Sequence, residues 1–250
     1  MKMKTLKRSV TLLITLILLS AAGFWAWATF GAQKAEVLAQ AALVSDGAVT
    51  VTVEDGFAMQ PASPSSTGFI FYSGGLVTPE AYAAHLRPIA EAGHPVFAPK
   101  MPLNLAVFNL NAAEEIIAAH PEITDWVIGG HSLGGAMAAQ YALAHDDEID
   151  GLVLWASFPA DGADLSGHEI KAVSVFGSND GLALPTEIRE SAARLPSDTN
   201  FAEIEGGNHA QFGDYGTQSG DSPAEILLTE QIQLTADYTL DLISIVADTP

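Results

Sequence analysis

The feature that most constrains this chain is the regular alternation of short, wholly apolar runs with segments of helical period. Strand-like runs fall at Ala48–Val53, Gly68–Tyr72, Pro95–Ala98, Trp126–Ile128, Gly151–Ala156, Ala172–Phe176 and Phe201–Ile204. Between them, helical spacing predicts helices over Pro79–Ala92, Ala106–His120, Leu133–Ala144, Pro185–Arg194 and Ala224–Val246. Only Ala48–Val53 alternates in the manner of a half-buried strand; the others are apolar throughout, as strands covered on both faces are. The expectation is an α/β fold with a mostly parallel sheet sandwiched by helices. Connections are short, so little chain is left for a cap over the sheet's carboxyl edge.

Charge separates the first thirty residues from the rest. Four of the ten basic residues, Lys2, Lys4, Lys7 and Arg8, lie there with no acid, so residues 31–250 hold six bases against all thirty acids, a formal −24. From Val10 to Phe30 run 21 uncharged, mostly apolar residues, about 31 Å as a helix, enough to cross a bilayer. The cationic flank would remain cytoplasmic, and Trp25 and Trp27 sit where an aromatic anchor meets the far interface. Residues 1–30 therefore read as a transmembrane signal anchor with the remainder outside. A cleaved signal peptide is the alternative, because Ala26-Trp27-Ala28 resembles a cleavage site. Residues 31–47 read as a stalk or linker and 48–250 as one folded domain. The acidic surface disfavours nucleic acid. With no cysteine in the chain, a thiolate nucleophile and Cys-ligated metal are excluded.

Chemistry concentrates at three loops. Gly130-His131-Ser132-Leu133-Gly134 lies between a predicted strand and a predicted helix, where G-x-S-x-G forms a nucleophile elbow. A serine hydroxyl needs a base, and that base needs an acid to fix its tautomer. Asp180 follows the strand ending at Phe176, and His209 lies in the loop after the next strand. The order Ser132, Asp180, His209 suits this architecture. His85, His120 and His145 fall in or near helices, His94 and His168 lead into strands, and His131 is fixed beside the nucleophile. Asp161 and Asp164 follow the preceding strand and remain alternative acids.

On these motifs, over about Thr67 to Phe212, the chain resembles the alpha/beta-hydrolase superfamily, and within it the small lidless serine esterases akin to dienelactone-hydrolase-like proteins. The resemblance implies a sheet of eight or slightly fewer strands, a Ser132–His209–Asp180 triad and an acyl-enzyme; no cofactor is expected. Two departures stand out: dienelactone hydrolases use cysteine where this chain has Ser132, and the usual Gly-rich stretch reads Pro99-Lys100-Met101-Pro102-Leu103-Asn104-Leu105-Ala106.

An oxyanion hole needs two backbone N–H donors. Leu133 is the first candidate, and Gly75 or Leu76, in the loop counterpart to the superfamily's strand-3 loop, is the second. Met101 to Phe108 with Trp155, Phe158, Phe212 and Tyr215 are candidates to line an acyl or alcohol pocket. Asp214 and Asp221 flank Gly-rich loop sequence that could invite calcium, but without the ligand spacing of a recognised site. The expected activity is hydrolysis of a small-molecule carboxylic ester. The alternatives are acyl transfer or thioester cleavage by the same triad, and a catalytically silent extracytoplasmic binding protein.

Overall fold

The computed structural model describes residues 2–249. It divides into two compact units, one ending at Ala32 and one beginning at Gln33. The first is helix α1, Lys2–Phe30, in which Thr11–Phe30 is long and apolar enough to cross a membrane. The side chains of the cationic cluster from Lys2 to Arg8 lie outside the described residues.

The second unit contains helix α2 (Val37–Ala42), followed by strands β1 (Val49–Thr52), β2 (Gly56–Pro61) and β3 (Thr67–Tyr72). Helix α3 (Ala83–Glu91), strand β4 (Val96–Pro99), helix α4 (Ala112–Ala119), strand β5 (Asp125–His131) and helix α5 (Leu133–Ala144) come next. Strands β6 (Gly151–Trp155) and β7 (Lys171–Gly177), helix α6 (Pro185–Glu190), strand β8 (Asn200–Ile204) and helix α7 (Leu228–Ala247) complete it. The eight strands form one sheet in the order β1-β2-β4-β3-β5-β6-β7-β8. From β4 to β8 neighbours are parallel, and only β2 runs against the rest, antiparallel to both β1 and β4.

The apolar runs are apolar because the sheet has two covered faces. Along β3, Phe69 and Phe71 enter one core with α2, α3 and α7, whereas Ile70 and Tyr72 enter the other with α4 and α5. The same two-residue alternation recurs in β5 and β6, where Val127, Val153 and Trp155 face the first core and Ile128, Leu152 and Leu154 the second. Strand order reverses at β3, which has β4 on one side and β5 on the other. A crevice at the carboxyl ends of strands is expected at such a switch point. The β6–β7 connection, residues 156–170, contains no helix, consistent with a fold that carries minimal or no cap.

Four expectations need correction. Strand β2 was not anticipated; it forms a hairpin with β1 around Asp55 and Gly56, whose φ values are 46° and 106°. The helix expected over Ala106–His120 is broken into a turn of 3-10 helix and α4, because Asn109 and Asn111 fall between them and Asn111 spends its side-chain amide on Glu114. Helix α7 begins at Leu228 instead of Ala224, since Glu225 N–H is drawn to Gly206 O at 2.7 Å. Residues 33–47 are part of the domain, not a free stalk. Gln33 pairs with the loop after β3, α2 buries Ala39 and Ala42, and the Asp214 carboxylate caps Ala39 N–H at 2.8 Å.

Candidate active site

Ser132 is the hinge between β5 and α5 and has φ 51° and ψ −121°, a backbone conformation that an L-residue holds only under constraint. Two glycines make the turn possible. A methyl group on Gly130 would lie 2.6 Å from Tyr72 O, and one on Gly134 would lie 2.1 Å from the same oxygen. The elbow is thus pressed against the end of β3. Ser132 N–H donates to Trp155 O at 3.0 Å, and Ser157 Oγ donates to Ser132 O at 2.7 Å. The next strand therefore holds the turn from the other side.

Asp180 and His209 stand on the loops after β7 and β8. Asp180 Oδ2 is 2.9 Å from His209 Nδ1, and both side chains are buried. The other oxygen, Oδ1, accepts from Leu182 N–H at 2.8 Å and Ala183 N–H at 2.7 Å. A carboxylate so occupied holds Nδ1 as the protonated nitrogen and leaves Nε2 as the acceptor. Ser132 and His209 line one cavity of about 420 Å³. The alternative acids lie apart from this pair: Asp161 is exposed beside Arg194 at 3.6 Å, and Asp164 accepts from Ser166 N–H at 3.0 Å.

The loop after β3 separates the two candidates for the second oxyanion donor. Gly74 N–H donates to Tyr82 Oη at 3.0 Å, and Leu76 N–H donates to Asn104 O at 2.8 Å. Leu76 is thereby corrected: its amide is committed within the protein. Among the described residues, Gly75 N–H and Leu133 N–H have no protein partner. They are also neighbours, since a methyl on Gly75 would meet Leu133 Cδ2 at 3.2 Å.

His131 is buried, and its Nδ1 lies 2.9 Å from Tyr82 Oη. Burial, followed by the neighbouring His209 and His85, pushes its pKa well below the usual histidine value. The ring is neutral at pH 7, so Tyr82 donates to it while accepting from Gly74. The His131 and His209 rings lie 4.4 Å apart. One chain of contacts thus runs from the loop after β3 through Tyr82 and His131 to His209.

Several residues that hold this geometry carried no catalytic signal in the sequence. Asp221 Oδ1 accepts from Gly181 N–H at 3.0 Å, Ser222 N–H at 2.9 Å and, at 3.4 Å, His209 N–H. Its Oδ2 accepts from Ala210 N–H at 2.8 Å. One carboxylate joins the loop of Asp180 to the loop of His209. Gln231 on α7, fully buried, takes Asn208 N–H and donates to Asn208 O. The only available clue was a glutamine in the apolar stripe of a helix. Asp214 and Asp221, noted as able to invite calcium, spend oxygens on backbone N–H groups. Among the described residues no cluster of three or more His, Cys, Asp or Glu is placed to hold a metal.

Of the residues expected to line a pocket, Phe158 does so beside Ser132. Met101, Trp155, Phe212 and Tyr215 are core, and Val107 and Phe108 are exposed.

The model of a family described as the alpha/beta hydrolase family matches residues 68–233. No curated protein matches the sequence. Among solved structures, a predicted CIB-like hydrolase from Thermoplasma acidophilum is similar at 19% identity and TM-score 0.58, covering 78% of this chain and 99% of its own. An alpha/beta hydrolase enzyme from a metagenome of Mar Chica lagoon sediments gives 16%, 0.57, 77% and 98% in the same order. Est1E from Butyrivibrio proteoclasticus, solved with ferulic acid bound, gives 12%, 0.54, 81% and 98%. At these identities the likeness is one of fold.

Proposed function

The chain belongs to the alpha/beta hydrolase family, and from that premise we propose that it is a serine hydrolase cleaving carboxylic esters through an acyl-enzyme on Ser132. The observation that carries this reading is the buried Asp180–His209 pair at 2.9 Å, whose imidazole shares a cavity with a serine held at φ 51°. In the proposed reaction His209 Nε2 takes the proton of Ser132 as Oγ bonds to the acyl carbon. Gly75 N–H and Leu133 N–H hold the oxyanion. Collapse breaks the ester bond, and the alcohol leaves with the proton from His209. Water then gives a proton to His209 and attacks the acyl-enzyme; collapse releases the acid and returns the proton to Ser132. Asp180 stays ionised throughout and stabilises the imidazolium.

The test is turnover of p-nitrophenyl butyrate by the full-length protein in detergent, beside Ser132→Ala. Wild-type turnover with loss of at least ~1,000-fold in the variant is expected if the acyl-enzyme carries the reaction. Equal rates would remove Ser132 from the mechanism. Labelling by a fluorophosphonate, lost in His209→Ala, tests the base independently.

We also propose that α1 is an uncleaved anchor with the domain outside the cytoplasm, a reading supported by the length of Thr11–Phe30 and the one-sided charge before it. Protease added to intact cells is expected to remove the domain and leave a membrane-bound fragment. Resistance, or release of the whole domain without protease, would contradict the anchor.

A further inference from the structure

The cavity that holds Ser132 and His209 has no cation on its wall. Leu133, Phe158 and Leu182 supply apolar surface there, and none of its lining residues is Lys or Arg. Beside the reacting pair, two polar side chains line it, and both are engaged. Ser157 Oγ donates to Ser132 O at 2.7 Å, and Gln218 Oε1 accepts from Tyr215 Oη at 3.1 Å.

The bases on nearby elements are spent as well. Arg194 reaches the loop that carries Phe158, but it donates to Pro159 O at 3.0 Å and lies 3.6 Å from Asp161. Arg189 on α6 pairs with Glu203. Gln218 also lines a second cavity, of about 410 Å³, whose charged residues, Glu36, Asp214 and Asp221, are all acids. A substrate carboxylate entering beside Ser132 would lose its water, meet no compensating charge, and do so within a domain of formal charge −24.

We propose that this site takes uncharged esters with a short apolar acyl group and excludes the corresponding anionic esters, with Phe158, Leu182 and Gln218 setting that choice. The inference rests on the ester-hydrolase reading above and narrows its substrate class. A volume of about 420 Å³ lies in the lower part of the range for small-molecule sites, about 300–1,000 Å³, which suits a compact substrate. Gln218 is the pivotal position, because it alone among the three presents a polar side chain to the catalytic cavity and also borders the acidic one.

The decisive comparison uses two p-nitrophenyl esters of nearly equal size, the butyrate and the mono-succinate, which differ by an ω-carboxylate. The butyrate is expected to exceed the succinate in kcat/KM by about 100-fold at low salt, with the gap narrowing as salt screens the acidic surface. Gln218→Lys is expected to raise succinate turnover by about 10-fold, placing one cation where the wild type has none. Comparable kcat/KM for the two esters in the wild type would overturn the inference while leaving the hydrolase reading intact. Absence of Ser132-dependent turnover for both would overturn the hydrolase reading and this inference with it. Should Gln218→Lys fail to fold, the wild-type ratio still decides the matter.

Discussion

Replacing Asp221 by alanine tests whether the loops of Asp180 and His209, the acid and base of the proposed mechanism, are held by one carboxylate. Asp221 accepts three N–H groups between 2.8 and 3.0 Å, from Gly181, Ser222 and Ala210, and a fourth at 3.4 Å from His209. Because the residue is partly exposed, water replaces some of what is lost, so each short bond contributes nearer ~0.5–1 kcal/mol than the ~1.5–3 kcal/mol of a buried charged acceptor. Three of them give a stability loss of ~1.5–3 kcal/mol. The catalytic effect is separate: loosening by ~1 Å between loops that must keep Asp180 and His209 at bonding distance costs ~100-fold in rate. Asp221→Ala is therefore expected to lower kcat for p-nitrophenyl butyrate by ~10–100-fold with KM within about twofold. Asp221→Asn retains one carbonyl acceptor and is expected to lie between wild type and alanine, whereas a change confined to folding would leave kcat of the folded fraction untouched. Urea melts and steady-state kinetics on the same preparations separate the two effects. Full kcat in Asp221→Ala would refute the argument.

Tyr82→Phe removes the acceptor for Gly74 N–H and the donor to His131; a buried N–H left unpaired predicts ~1–3 kcal/mol of lost stability and a fall in kcat, read by thermal melts and kinetics. Gly134→Ala puts a methyl 2.1 Å from Tyr72 O and 2.4 Å from Ser73 O, so it is expected to cost more than ~3 kcal/mol and to leave little folded protein on a sizing column. His85, buried on α3, has its pKa lowered to about 4 by burial. The unfolded chain takes up this proton near pH 6.5 and the folded chain does not, so the stabilising contribution is complete above pH 6.5 and is lost as pH falls toward 4. The loss is ~2 kcal/mol at pH 5 by linkage, and His85→Gln should flatten the dependence of the urea midpoint on pH.

Most of the scaffold was legible because its signals are local. A strand covered on both faces must be apolar throughout, and a glycine pinned against β3 must be glycine, so β3, β5, β6, β7 and the start of α5 could be read from short windows. The hairpin of β1 and β2 had a signal in Asp55-Gly56. Chain order nominated Asp180 but left Asp161 and Asp164 open; the 2.9 Å contact between Asp180 Oδ2 and His209 Nδ1, which no local window reveals, is what distinguishes Asp180. Tyr82, Asp221 and Gln231 were not legible as site residues. Each acts on a partner that the fold, not the neighbouring sequence, brings to it, and a lone tyrosine, aspartate or glutamine carries no spacing by which to be recognised.

Gln33 N–H donates to Leu76 O at 2.7 Å, and Thr78 N–H donates to Gln33 O at 2.9 Å. Two bonds thus stitch the first residue of the domain to the segment that follows Gly75. A truncation for solubility that starts at Ala35 would unpick this seam and slacken the loop, so weak turnover by that fragment would report on where the gene was cut. Starting a fragment at Gly31 keeps the stitch.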